Sequence, residues 1–430
     1  MRARNRALIL PRSSPVAFAY RGGVLCAEDV PLETIAQRFG TPCYVYSRAA
    51  IERNFGRFSA ALAGRSSLIA YSVKANSNLS VLALMARLGA GFDIVSGGEL
   101  ARVLAAGGDP AKVVFSGVGK TEAEVEQALH AGVQCLNLES AAELERVDGV
   151  AARLGLRAPI AFRVNPDVDA KTHPYISTGL KHSKFGVAYE DAERLYRDAA
   201  RRSAVRLVGI GCHIGSQLTS AAPFVDAAAR ILALCERLED AGIPLSHIDL
   251  GGGFGIRYKD ETPAPVGEFL DGVLGVLASR RETLIIDPGR AIVGDAGLLL
   301  TRVEYLKPGE SKNFVVVDAA MNDLIRPALY DAWHEVLPAR EAESGAVEAV
   351  YDVVGPVCES GDFLARERRL AVRAGDLLAV MSAGAYGMVM SSNYNSRPRP
   401  AEVLVSGPQA SLVRERESVE QLFASERNII

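Results

Sequence analysis

The 430-residue sequence predicts an α/β protein: a (β/α)8 TIM-type barrel joined to a second, all-β domain of sandwich or barrel type. Three observations predict it. Eight short apolar runs recur between Ala49 and Arg290, with helix-length amphipathic segments between them, and runs apolar on both faces are what a parallel sheet covered by helices requires. The texture changes after Arg290 to short β-rich runs separated by Gly, Pro or Asp turns. The chain is also too long for one ordinary core, which allows a barrel of about 250 residues and one further domain.

Taken in order, the N-terminal MRARNRALILPRSS is basic, but its apolar run Ala7–Leu10 is too short for a secretion signal. Val16–Tyr20 and Val24–Cys26 are strand-like and can return to the all-β domain. Val30–Phe39 reads as a short helix ended by Gly40, and Thr41–Pro42 starts an extended piece, Cys43–Tyr46. A boundary at Pro42 makes residues 42–290 the barrel, and 1–41 with 291–430 the β-rich domain. The predicted barrel strands are Leu68–Val73, Gly91–Val95, Val113–Ser116, Gln134–Leu138, Ile160–Asn165, Leu207–His213, His247–Leu250 and Leu284–Asp287. Beyond them, strands are expected at Gly297–Glu304, Phe314–Asp318, Val347–Val354, Arg369–Val372 and Leu377–Met381, with a helix over Glu415–Phe423.

Composition narrows the function. Apolar residues make up 49% and charged residues 23%, a globular balance, and a formal net charge of −3 with interspersed signs leaves no basic footprint for nucleic acid. No run of about 18 apolar residues implies a membrane span. The six cysteines are scattered with no CxxC pair, which points to a reducing cytoplasm and to no metal site. A small molecule is the natural ligand.

Barrels carry chemistry at the C-terminal ends of their strands. Here the first strand ends in Lys74, the sixth in His213–Gln217 (HIGSQ), the seventh in Gly251–Gly255 (GGGFG) and the eighth in Asp287–Arg290 (DPGR). Burial at a strand end would lower the pKa of Lys74 and make it a nucleophile able to form a Schiff base. The glycines let backbone N–H groups approach an anion, where barrels commonly bind phosphate. His213 can lay a flat ring on a flat cofactor, and Asp287 can pair with a pyridinium N–H. Each residue alone has an ordinary structural reading. Together they describe a site for pyridoxal 5'-phosphate.

The motifs YSVKAN, GCHIGSQ, DLGGGFG and DPGR resemble the barrel-type pyridoxal phosphate decarboxylases and, more distantly, the alanine racemases. Asp318–His334 (DAAMNDLIRPALYDAWH), Val353–Ala365 (VVGPVCESGDFLA) and Gly384–Leu404 (GAYGMVMSSNYNSRPRPAEVL) narrow the resemblance to the diaminopimelate decarboxylase family. It extends from about Phe18 to the last apolar stretch before the C-terminal helix. The resemblance implies decarboxylation of meso-2,6-diaminopimelate to L-lysine and carbon dioxide. Lys74 would bear the cofactor, His213 would stack on its ring, and Ser216 with the Gly252 and Gly253 backbone would hold its phosphate. The DPGR turn (Asp287, Pro288, Gly289, Arg290) would border the cofactor, with Arg290 reaching substrate. Arg326 and Tyr330 would bind the far end of the substrate, Glu359 would pair with the distal ammonium, and Cys358 would donate the proton. Tyr386 would touch both cofactor and substrate. The family's CES loop reaches into a neighbouring subunit's site, so a homodimer with shared sites is implied. One position departs from the pattern: the family usually has glutamate where this chain has Asp287, one methylene shorter. The competing readings are an ornithine- or arginine-type decarboxylase, which needs no distal arginine, an alanine-racemase-like isomerase, which needs no CES loop, and a non-catalytic pyridoxal-phosphate-binding protein, which would be a barrel alone without the β-rich region from Gly297 onward.

Overall fold

A computed structural model describes residues 17–168 and 184–430. The N-terminal run Ala7–Leu10 lies outside the described residues.

Eight parallel strands close into a barrel: β1 (Ser67–Ser72), β2 (Gly91–Ile94), β3 (Val113–Phe115), β4 (Cys135–Leu138), β5 (Ala158–Asn165), β6 (Val205–Gly211), β7 (His247–Asp249) and β8 (Thr283–Ile286). Each pairs with its sequence neighbour, and β8 closes on β1 through Leu284–Ser67, Ile285–Leu68 and Ile286–Ile69. All eight predicted runs are strands, with ends differing by up to two residues. Helices follow each strand because the sequence punctuates them. Thr121 and Glu124 form a reciprocal capping box at the start of Glu122–Ala131, Ser140 caps Ala141–Leu154, and Gly132 and Gly155 end these helices in left-handed conformation. The helix Arg48–Ala61, started by the Ser47 side chain, precedes β1 and packs against Val266–Val276.

Along each strand, alternate residues take different roles. Tyr71, Phe92, Phe115, Leu136, Phe162, Ile248 and Ile286 face the helices in the main core. Ala70, Val114 and Ile285 pack together separately, as do Cys135, Ala161 and Val208, forming apolar interior layers. Above those layers the inward residues turn polar: Ser72, Asp93, Asn137, Arg163 and Asp249. Reading the strands as apolar on both faces missed this layer.

The second sheet has nine strands. Its main path runs Phe363–Leu370, Ala349–Val354, Asn313–Val317, Gly297–Lys307, Cys43–Ser47, Ala401–Ser406, Gln409–Arg414, and Leu377–Val380 joins Gly297–Lys307 to Val336–Pro338. Cys43–Ser47, assigned from sequence to the barrel's side of Pro42, lies inside this sheet, antiparallel to Gly297–Lys307 and parallel to Ala401–Ser406. Its side chains explain why: Cys43 and Val45 join Leu25, Leu32, Ile35, Leu298, Leu300, Val403 and Val405 in a separate apolar core. The chain enters the barrel only at Ser47.

Three further expectations shift. The helix expected over Val30–Phe39 starts at Leu32, because Val30–Pro31 pairs with Val24–Ala27. The strand expected at Arg369–Val372 is Phe363–Leu370, in which Arg366, Glu367 and Arg369 face outward while Leu364 and Leu370 are buried. The C-terminal helix is Val419–Phe423, begun by the Ser418–Gln421 capping box. Among the described residues no helix is long and apolar enough to cross a membrane.

Candidate active site

Lys74 sits in a single 3-10 turn, Val73–Ala75, where the apolar β1 ends. The turn is held from both domains. Tyr71 Oη donates to Asn76 O (2.9 Å), Asn76 Nδ2 donates to Gly384 O (3.2 Å), and Tyr386 N–H donates to Ala75 O (2.9 Å). Asn78 Nδ2 donates to the buried Glu402 (3.0 Å), which also accepts from Tyr46 (2.7 Å). Tyr386 keeps a φ of +56°, a backbone conformation rarely adopted by a bulky residue and often found at functional sites.

From this turn Lys74 reaches into a cavity of about 850 Å³ at the C-terminal end of the barrel. Its Nζ donates to Asp93 Oδ2 at 2.7 Å, and Ser72 Oγ lies 3.2 Å from the same oxygen. Burial alone would lower the pKa of the Lys74 ammonium, as expected from the sequence. Asp93 and Asp287 overrule it and hold the pKa above the ordinary lysine value. In this arrangement Lys74 is a stored cation, and the sequence-based expectation of a depressed pKa is corrected.

Asp287 follows β8, and its N–H donates to Gly251 O at 3.0 Å. Among the described residues its Oδ1 has no hydrogen-bond partner; it is buried 3.9 Å from His213 Nδ1. Burial, with Asp93 and Asp249 close by, drives the Asp287 carboxyl well above the usual carboxylate range. Burial likewise pushes Asp249 up to about 7, against the hydrogen bond it accepts from Gly251 N–H and with Asp93 adding to the rise. Three acids therefore crowd one floor, and an added cation there would relieve them. His213 is held well below its ordinary pKa by burial, then by Arg163 and Lys74, so its ring is neutral. Its Nδ1 accepts from Gly252 N–H at 3.3 Å.

The loops after β6 and β7 interlock through Leu218 N–H to Gly253 O (2.8 Å). A Cβ at Gly253, where φ is +95°, would come 2.3 Å from Gly215 O, so only glycine lets these backbones meet. Beside them Arg290 donates to Ser216 Oγ (2.9 Å) and to Tyr258 Oη (2.7 Å). Its guanidinium also lies over the Tyr386 ring, 4.8 Å from the centroid.

Of the residues singled out from sequence, Lys74, His213, Ser216, Gly253, Asp287, Gly289 and Arg290 line this cavity, joined by Arg326, Tyr330 and Tyr386 from beyond the barrel. Gly252 and Pro288 support it from behind: Gly252 through His213, and Pro288 by accepting from Ser72 N–H (3.2 Å). Cys358 and Glu359 are not among the lining residues. They sit on an exposed loop pinned by Asp362, which accepts from Val357 N–H (2.7 Å) and Met321 N–H (2.7 Å). Sequence reasoning missed Asp93, Asp249, Arg163 and Tyr258. For the first three, the signal was one charged residue in each of three apolar strands.

The unpartnered Oδ1 of Asp287, the glycine-lined junction and the lysine turn fit pyridoxal phosphate: an acceptor for a ring N–H, backbone for a phosphate and an amine for an aldehyde. Comparison with known proteins agrees. Residues 48–294 match the family model "Pyridoxal-dependent decarboxylase, pyridoxal binding domain". The chain is 59% identical over 409 residues to the diaminopimelate decarboxylase of Pseudomonas aeruginosa, covering 95% of this chain and 98% of that one. The chain belongs to the diaminopimelate decarboxylase family. Within that family, the enzyme of Helicobacter pylori complexed with L-lysine superposes with a TM-score of 0.89 at 42% identity, covering 92% and 99% of the two chains. The enzyme of M. jannaschii, also with L-lysine, gives 0.91 at 36% identity, covering 96% and 98%. These solved structures share the barrel and the β-rich domain across their length.

Proposed function

We propose that this protein decarboxylates meso-2,6-diaminopimelate to L-lysine with pyridoxal 5'-phosphate, in a homodimer whose sites are shared between subunits. The observation that carries the substrate assignment is that one cavity holds both Lys74 and the buried guanidinium of Arg326. An ornithine- or arginine-type substrate carries no distal carboxylate and would leave the buried Arg326 unpaired. The full-length likeness to diaminopimelate decarboxylases supports the same reading.

Bound pyridoxal phosphate supplies an electron sink for the pair left when a carboxylate departs as carbon dioxide. The residues have separate tasks. Lys74 anchors the cofactor, and Asp93 keeps its Nζ oriented. Asp287 holds a proton at the ring nitrogen, while His213, neutral and flat, covers a ring face. Ser216, the Gly252 and Gly253 backbone and Arg290 hold the phosphate; the Arg290–Ser216 bond supports this role for Arg290 beside the contact with substrate expected of it. Arg326 and Tyr330 receive the distal carboxylate. Cys358 donates the proton to the α-carbon and Glu359 pairs with the distal ammonium, both entering from the partner subunit.

Two outcomes test this reading. Incubated separately with diaminopimelate, ornithine, arginine and lysine, the enzyme is expected to release carbon dioxide and amine fastest from diaminopimelate, because the others leave a buried charged receptor unpaired. Faster turnover of ornithine or arginine would overturn the substrate and leave the cofactor reading standing. For the shared site, mixing inactive Lys74→Ala with inactive Cys358→Ala subunits is expected to restore part of the activity through hybrid dimers with one intact site. No recovery after verified subunit exchange would count against sharing.

A further inference from the structure

Arg326 begins the short helix Arg326–Tyr330, which Asp331 ends in left-handed conformation (φ +48°). The turn brings His334, only 1% exposed, against the guanidinium of Arg326, a residue 7% exposed as a whole. Arg326 Nη1 and His334 Nε2 are 2.8 Å apart, and His334 Nδ1 is 2.7 Å from Met381 O. A guanidinium can only donate and a carbonyl can only accept. The imidazole proton therefore sits on Nδ1, and Nε2 is the acceptor. Burial, then Arg326 itself, pushes the His334 pKa down to about 3, in keeping with a neutral ring. On its other side Arg326 lies over the Tyr258 ring, 4.5 Å from the centroid, and Tyr258 meets His334 edge-on at 5.4 Å. Among the described residues no carboxylate pairs with Arg326, whose neighbours are His334, Tyr258, Tyr330, Tyr386 and Arg290.

We propose that His334 is a positioning residue for substrate discrimination: a neutral acceptor that, with the Tyr258 ring, fixes the direction of Arg326 without cancelling its charge. A carboxylate at this place would orient the guanidinium equally well but neutralise it, and would compete with the anion the site is built to receive. An apolar residue would leave the charge but free its direction. The proposal rests on Arg326 as the receptor for the distal carboxylate.

The test measures equilibrium binding to the cofactor-loaded protein of two ligands that differ only by that carboxylate, L-lysine and 1,5-diaminopentane. The parent protein is expected to prefer lysine. His334→Gln, which keeps a neutral acceptor, is expected to hold that preference within about threefold, whereas His334→Glu and His334→Leu reduce it by about tenfold or more. In His334→Leu diaminopentane binding stays near the parent value, in His334→Glu it holds or tightens because the Arg326 charge is offset, and the visible cofactor absorbance stays near the parent value in both. The KM for diaminopimelate rises in step with the lost preference while kcat changes little. If His334→Leu fails to fold, the Gln and Glu pair decides, since both keep a hydrogen-bonding side chain. An unchanged lysine preference in His334→Glu would reduce His334 to packing and overturn the proposal. Equal affinity of the parent protein for the two ligands would instead overturn Arg326 as the carboxylate receptor, and the role of His334 with it.

Discussion

Lys74→Ala is expected to lose on the order of 10³-fold or more in kcat, because no other amine is expected to anchor the cofactor and orient it for turnover. The charge state of the lysine sharpens the expectation. Held as an ammonium by Asp93 and Asp287, Lys74 must give up a proton before its Nζ can attack an aldehyde, and Asp93, 2.7 Å away, is the base within reach. The check is direct: reduce the loaded protein with borohydride, digest it and find the labelled peptide. Label on the peptide spanning Lys74, and its absence from the alanine variant, is the expected result. Label elsewhere would sink the assignment of the site.

Asp287→Ala is expected to lose about 10²-fold or more in kcat while the protein still takes up cofactor. A charge-assisted hydrogen bond in a buried site contributes a few kcal/mol, and each 1.4 kcal/mol is about tenfold in rate. Its Oδ1, buried and without a hydrogen-bond partner among the described residues, is the atom expected to make the contact. Asp287→Glu is the informative companion, since it restores the side-chain length usual in the family. The pocket has little slack for it: a Cβ on Gly252 would already meet Asp287 Oδ1 at 2.4 Å. Steady-state rates and cofactor content of the two variants decide the matter. Near-parental turnover by Asp287→Ala would mean that another group serves the ring nitrogen.

The barrel was legible in the sequence because its outward residues, such as Tyr71, Phe92 and Phe162, make each strand a recognisable apolar run. The candidate site was legible where it lay in loops, at Lys74, His213 and the glycines, since polar and glycine residues there interrupt the apolar strand pattern. Asp93, Asp249 and Arg163 were hidden inside the runs. Alternation along the strand would have revealed them, for every second residue near the strand ends turns inward and is polar. Cys43–Ser47 was placed on the wrong side of the boundary because Pro42 is a louder signal than the Ser47 cap. The strands Ala401–Ser406 and Gln409–Arg414 went unassigned, since the stretch was read for its motif rather than for its period of two. Cys358 and Glu359 are recognisable by their motif, yet the cavity of their own chain does not include them.

The position of Cys43–Ser47 also bears on how the protein is made. During synthesis this strand leaves the ribosome early, and its two sheet neighbours follow much later, Gly297–Lys307 after the whole barrel and Ala401–Ser406 close to the end of the chain. Until then both of its backbone edges lack a strand to pair with, a condition that invites association with other nascent chains. The barrel can close first, because its strands pair with neighbours in sequence order and its two ends meet once β8 emerges. The nascent protein thus carries a finished barrel tethered to an unfinished sheet, whose first strand waits for partners from the far end of the chain.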